Sequence, residues 1–241
     1  MHWQKRFVGP VYACWLLAVL LGCDVTFGPS LRGSGVAKTE TREAASFAEI
    51  DVGSGIQLDV KFGPAISLIV TGDDNLLPHL KTEITGDRLK IYTDTPYSSD
   101  LGVKVSVTLP ALKVLAGSGA SNTMLTDVAG EQILLDLSGA SDCQFTGVAD
   151  LIDVKLSGAS HSTLAGAAKR LAVECSGASH VDAARLTART VTAELSGAST
   201  AHVNATEELA AEASGASTLR YIGQPAKLDK EISGASTVAP E

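Results

Sequence analysis

The tetrapeptide Ser-Gly-Ala-Ser begins at Ser118, Ser138, Ser157, Ser176, Ser196, Ser214 and Ser233, at spacings of 20, 19, 19, 20, 18 and 19 residues. A unit of about 19 residues is too short to bury an apolar face alone, so neighbouring units must stack and share one core. Apolar residues stand one, three and five places before a copy, as in Ile133, Leu135, Leu137 and in Ile152, Val154, Leu156. The same alternation resumes after the motif, at Cys143 and Phe145 or at Leu219 and Tyr221. Period two means strand. Each repeat therefore predicts at least two short strands separated by a bend.

Hairpins would send the motif alternately to opposite ends of a sheet, whereas coiling lays identical tetrapeptides directly on one another. The expected fold is all-β, a right-handed parallel β-helix with one rung per repeat and strands about 4.8 Å apart. A leucine-rich repeat is the competing solenoid. Leu151, Val154 and Leu156 mimic its opening spacing, but Ala159 occupies its asparagine position and no second half reads as helical. In a coil, Gly119, Gly139, Gly158, Gly177, Gly197, Gly215 and Gly234 form one column at a bend, where only small residues tolerate the crowding. The serines could bond from rung to rung as a ladder. On this account Gly177→Val damages the fold far more than Ser179→Ala.

Upstream of the repeats, short β-type runs cover Phe47 to Val52, Ile56 to Lys61, Ile66 to Val70, Arg88 to Tyr92 and Val103 to Leu109. Asp73 to Leu80 reads as a loop or one helical turn. At the N-terminus, Lys5 and Arg6 precede an apolar run from Phe7 to Leu21, too short to span a bilayer comfortably, and then Leu20-Leu21-Gly22-Cys23. This resembles the lipobox of bacterial lipoproteins. The resemblance implies a signal peptide over residues 1–22 and a lipid on Cys23, anchoring the chain to a membrane. Residues 23–45, with Pro29, several glycines and mixed charge, read as a flexible tether, and residues 46–241 as the folded domain.

The formal charge is −8, with nothing basic clustered, so nucleic acid is not an expected partner. Cys143 and Cys175 fall at different places in repeats two apart, so they read as small buried hydrophobes rather than a disulfide. No Gly-x-Ser-x-Gly elbow, His-Glu-x-x-His, phosphate loop or Cys-x-x-Cys occurs. Repeated serines are not nucleophiles without a neighbouring base and an oxyanion site. The residue after each motif runs Asn122, Asp142, His161, His180, Thr200, Thr218, Thr237. Coiling would stack His161 on His180 above Asp142, a candidate site for a divalent metal. Two places before the motif lie Asp136, Lys155, Glu174, Glu194, Glu212 and Glu231, a column in which neighbouring carboxylates repel by roughly 0.8 kcal/mol even in water. The glycine-rich nonapeptide of calcium-binding β-rolls is absent, and Thr200, Thr218 and Thr237 make too short a column for an ice-binding face. No cofactor is expected.

The blocks FAEIDVGSGIQLDVKFGP at Phe47, LIVTGDDNLLPHLKTEITGDRLKIY at Leu68 and VKVSVTLPALKVLAGSGAS at Val103, followed by SGAS rungs, resemble the bacterial family of auto-transporter adhesin head, or GIN, domains. This chain has Gly55-Ile56-Gln57 where the family's name suggests Gly-Ile-Asn. The resemblance implies an envelope location, β-helical rungs and often a lipoprotein leader. The expected function is a non-enzymatic, membrane-anchored β-helix with an adhesin-like, binding or structural role, whose partner is a polysaccharide or an envelope protein. The alternatives are a periplasmic regulatory or structural module and a carbohydrate-active β-helix enzyme.

Overall fold

In the repeat region the alternation of inward aliphatic and outward polar residues produces five long bent strands, each one rung of a solenoid: Asn122–Leu137, Asp142–Leu156, His161–Cys175, His180–Leu195 and Thr200–Ala213. They are numbered below as β11 to β15. The computed structural model describes residues 30–241, so the leader, Cys14 and Cys23 lie outside the described residues. Every neighbouring pair of long strands is parallel and nearly in register, Asp142 opposite His161 and Leu156 opposite Cys175 for example. The parallel solenoid expected from the period is therefore the observed fold. The expected pair of short strands per repeat is, in these five rungs, a single strand that bends at irregularities such as Leu125 to Val128 and Asp182 to Thr187. The rung splits only at the end of the stack, into β16 (Thr218–Ile222), β17 (Lys227–Ile232) and β18 (Thr237–Pro240).

The N-terminal part is built from ten shorter strands. They are β1 (Leu31–Arg32), β2 (Ala37–Arg42), β3 (Glu49–Val52), β4 (Gln57–Phe62), β5 (Ser67–Asp73), β6 (Leu80–Thr85), β7 (Arg88–Thr93), β8 (Tyr97–Ser98), β9 (Lys104–Leu109) and β10 (Val114–Gly117). One helical turn of the 3₁₀ type, Leu77–His79, resolves the ambiguity over residues 73–80. The rungs here are not stacked in chain order. β3 lies between β7 and β10, and β4 between β9 and β11, all parallel, so the segment 49–62 is inserted between two later ones. Antiparallel partners close this end: β6 on β7, and β5 on β9 with β2 outside it.

The tether is a correction. Ala37–Arg42 is a strand of the sheet, Arg42 donates to the carbonyls of Leu77 and Leu80, and β1 pairs with β8. The buried Asp73 carboxylate accepts from the Gly35 amide and the Ser99 hydroxyl, which clasps the segment in place. Composition alone missed this because β2 is largely exposed and polar, its stability coming from a neighbour rather than from its own apolar face.

The core runs the length of the axis. Ile50, Leu89, Leu115, Leu135, Val154, Val173, Ala193 and Ala211 are all at most 2% exposed. In register, the column from Leu115 to Ala211 steps from leucine through valine to alanine, while the neighbouring column Ile133, Ile152, Leu171, Val191 and Leu209 stays large.

Each SGAS turn is bonded to the turn below by its own backbone. Ala178 N–H donates to Gly158 O and Ala198 N–H to Gly177 O, both at 2.8 Å. The seven glycines have φ between +68° and +78°. A methyl on any of the last six would sit 2.5 to 2.7 Å from the carbonyl oxygen of the preceding glycine. Two separate demands, left-handed backbone and backbone-to-backbone approach, thus converge on one residue type.

The serine ladder is a second correction. The second serine points inward: Ser121, Ser141, Ser160, Ser179, Ser199 and Ser217 are at most 2% exposed. From Ser141 to Ser217 the hydroxyl donates within its own turn to the first serine's carbonyl, as Ser179 does to Ser176 O at 2.9 Å. Rung-to-rung pairing of hydroxyls is confined to Ser121 with Ser141 and Ser217 with Ser236. A contact within a turn of fixed geometry satisfies each buried hydroxyl without depending on the next rung.

Candidate functional site

Register converts the acidic residues of five repeats into one surface feature. Asp136, Lys155, Glu174, Glu194, Glu212 and Glu231 stand opposite one another on consecutive strands. The first-position serines from Ser157 to Ser233 face them across a groove of about 650 Å³ that follows the axis. Three of those serines, Ser176, Ser196 and Ser214, and Ser138 one rung below the groove, reach back to a carbonyl of the rung below, as Ser176 does to Leu156 O at 3.4 Å. Their hydroxyl lone pairs remain available to a ligand.

Charge in the groove is partly neutralised at one end only. Lys155 Nζ lies 2.8 Å from Glu174, and this contact holds the ammonium protonated above its ordinary range. Asp153, beside them, has its carboxyl pushed up by burial first and then by Glu174 and Asp136, with Lys155 opposing. One oxygen of Asp153 has no hydrogen-bond partner. Further along, among the described residues, Glu194, Glu212 and Glu231 form no ion pair. The acidic column was legible in the sequence; the groove was not, because the facing serines belong to the corner and their direction depends on the turn.

The second candidate was the column Asp142, His161, His180. The structure does stack these residues: the two imidazoles are parallel within 6° at 4.8 Å. It does not make them converge. Lone pairs of parallel rings lie in parallel planes one rung apart, and His161 Nε2 is 3.2 Å from Thr163 Oγ1. Among the described residues no group of three or more His, Cys, Asp or Glu is arranged to hold a metal ion. Sequence reasoning also missed a third imidazole. His202 sits against His180 edge-on at 5.8 Å, because it falls two places later in its repeat on the same outward face. The His180 imidazole is held below its ordinary value by burial, then by His161 and His202, with Asp182 opposing.

The two described cysteines and the inward serines are poorly placed to act as nucleophiles. Cys143 and Cys175 are free and buried, as expected, and burial pushes their thiols up to about 12 and about 11. The buried serine hydroxyls donate to carbonyls, not to a base. Thr123 and Ser162, on either side of Cys143, carry buried hydroxyls with no partner, inside the stack where no ligand reaches.

Solved bacterial structures share this geometry. A "putative adhesin" of Bacteroides fragilis superposes with a TM-score of 0.83 at 19% identity, covering 88% of this chain and 100% of its own. A "putative lipid binding protein" of Parabacteroides distasonis gives 0.70 at 19%, again over 88% and 100%. A "putative adhesin" of Parabacteroides merdae gives 0.68 at 18%, over 89% and 100%. At these identities the likeness shows the fold. No curated protein matches the chain. The sequence model described as "Putative auto-transporter adhesin, head GIN domain" matches residues 46–225, most of the chain, which places this protein in the auto-transporter adhesin head GIN domain family.

Proposed function

We propose that this protein is a non-enzymatic, lipid-anchored adhesin-like protein of the bacterial envelope, and that its rigid groove receives an extended polymer carrying positive charge. The observation that carries the reading is the groove itself: a straight, axis-parallel cleft with unpaired carboxylates on one side and hydroxyls on the other. Side chains on stacked rungs are spaced by the backbone ladder, so a periodic ligand meets the same groups again and again without deforming the protein. Amino groups spaced along a polysaccharide or a basic peptide would lie against Glu194, Glu212 and Glu231, with hydroxyls against the serines. The family's adhesin description supports a binding role. The lipid-binding description of one neighbour does not extend here, since the groove is polar and the interior is filled by side chains.

The anchor would be Cys23. Only seven residues separate it from Leu31 in β1, eight residue steps that span at most ~29 Å of extended chain. The N-terminal end of the solenoid would therefore stay near the membrane, with the SGAS rungs beyond it. Among the described residues no helix is long and apolar enough to cross a membrane. One experiment addresses both halves. Intact and outer-membrane-permeabilised cells carrying the wild type or Glu194→Gln with Glu212→Gln are offered chitosan and a poly-lysine peptide, and captured polymer is measured beside protease accessibility. Capture by intact cells that falls at least tenfold in the double variant is expected. Equal capture by both would overturn the groove, and protease resistance until permeabilisation would move the protein to a periplasmic partner.

A further inference from the structure

The two ends of the stack are finished differently. At the N-terminal end antiparallel strands cover the outer edges, and Leu80, Leu89 and Ile91 are at most 2% exposed. At the other end, among the described residues, no strand pairs with the far edges of β17 and β18. Leu228 and Ile232, which continue inward columns, are 43% and 48% exposed. Backbone groups alternate sides along a strand. The amides of Ser233 and Thr237 point back to Ala213 O and Ser217 O, so Leu228, Lys230, Ile232 and Val238 present theirs to the open edge. An edge of this kind beside apolar side chains is a template for a strand of a second copy.

Lys230 stands in the way. By register with Ala211 it occupies the inward column that is aliphatic in every earlier rung, leucine, valine and alanine from Leu115 to Ala211. Its side chain crosses the mouth of the solenoid. Nζ lies 3.2 Å from Val238 O, 3.4 Å from Tyr221 Oη and 4.9 Å from the centre of the Tyr221 ring. The ammonium therefore occupies an edge carbonyl of β18, and the next edge position, Pro240, has no amide to offer.

We propose that Lys230 is an edge guard, a buried-side cation that keeps the C-terminal rung from pairing with the same rung of a second molecule. The charges of β17 act in the same sense when pairing is centred on Lys230. Antiparallel self-pairing centred on Lys230 sets Lys230 against Lys230 and Asp229 against Glu231, whereas centring on Asp229 sets Asp229 against Asp229 but Lys227 against the oppositely charged Glu231. Of these two registers, removal of the Lys230 charge relieves the first most, and it also frees Val238 O.

The test is sedimentation velocity of the full chain in density-matched detergent, for the wild type and for Lys230→Met, Lys230→Arg and Lys227→Met. Methionine keeps the length and loses the charge; Lys227 is on the outward face of the same strand and controls for net charge. Circular dichroism checks that each variant is folded. Lys230→Met is expected to sediment with a twofold or greater, concentration-dependent mass, while the other three remain single copies. A monomeric Lys230→Met, an equally associated Lys227→Met, or a wild type that already associates would each overturn the proposal.

Discussion

The rungs before Ser118 and those after it solve the same stacking problem with different materials. Residues 49–117 fill the axis with Ile50, Leu58, Leu89, Ile91 and Leu115, and stack segments that are not consecutive in the chain. The SGAS rungs follow in strict order, one of their inward columns shrinks to Ala193 and Ala211, and the corner is held by backbone against backbone. Apolar volume stabilises the first region, and close approach the second. The junction shows the change directly. Gly53-Ser54-Gly55-Ile56 lies under Ser118-Gly119-Ala120-Ser121, with Ser118 N–H on Val52 O and Asn122 N–H on Ile56 O. There Ser54 adopts φ +61°, and the inward place of the second serine is filled by the fully buried Ile56.

The largest effect that could break this comparison comes from one residue type placed at the junction and beyond it. Gly119 and Gly177 have φ of +72° and +73°, but a methyl on Gly119 meets nothing nearer than Ser54 N at 3.4 Å, whereas on Gly177 it meets Gly158 O at 2.6 Å. Gly119→Ala should cost only the left-handed backbone, about 1–2 kcal/mol. Gly177→Ala adds a clash that both chains must move to relieve, and is expected to lose more than about 4 kcal/mol or to fail to fold, Gly177→Val still more so. Urea denaturation of the two alanine variants measures the difference. Similar midpoints would mean that the glycine column is required for its dihedral angle alone.

A smaller effect sharpens the same contrast. Ser179 is 2% exposed and its hydroxyl closes onto Ser176 O within one turn. Ser179→Ala removes that donor but leaves an acceptor that the methyl does not bury more deeply, so a loss of about 1 kcal/mol is expected in the same urea titration. A loss as large as that of Gly177→Ala would place the stability of the corner in its hydroxyls and not in its backbone.

How much of this was legible follows the same divide. The rung length, the parallel stacking, the glycine column and the acidic column could be read off because a strict period turns sequence offset into spatial register. The order of the N-terminal rungs could not, since nothing local in Glu49–Val52 says that it lies between Arg88–Thr93 and Val114–Gly117. Nor could β2, whose pairing with β5 is a property of the partner strand. Within the repeats, the misread features were those at the corners. Alternation fails where the chain turns, so the inward serine, the groove between corner and wall, and the proximity of His202 to His180 all waited on geometry.

The smallest predicted effect distinguishes His180 in the histidine column from Asp153 beside the acidic column, which respond to acid with opposite sign. The folded-state pKa of His180 is below that of the unfolded chain, so between those two values the unfolded state binds more protons, and stability falls as the pH drops below about 6.5. Asp153 is the reverse. Its raised folded pKa is a strain present at neutral pH, and stability is regained as the pH falls through that value toward the unfolded one near 3.9. Both groups are partly exposed, so each contribution is expected to be less than about 0.5 kcal/mol. Melting temperature against pH from 7.5 to 4 for the wild type, His180→Asn and Asp153→Asn separates them. The asparagine in place of His180 should flatten the decline below about pH 6.5, and that in place of Asp153 should raise stability at pH 7 and remove the recovery at acid pH. A His180→Asn curve parallel to the wild type would show that the stacked imidazoles lose nothing on protonation, and the histidine column would then carry no electrostatic cost of the kind that Asp153 bears.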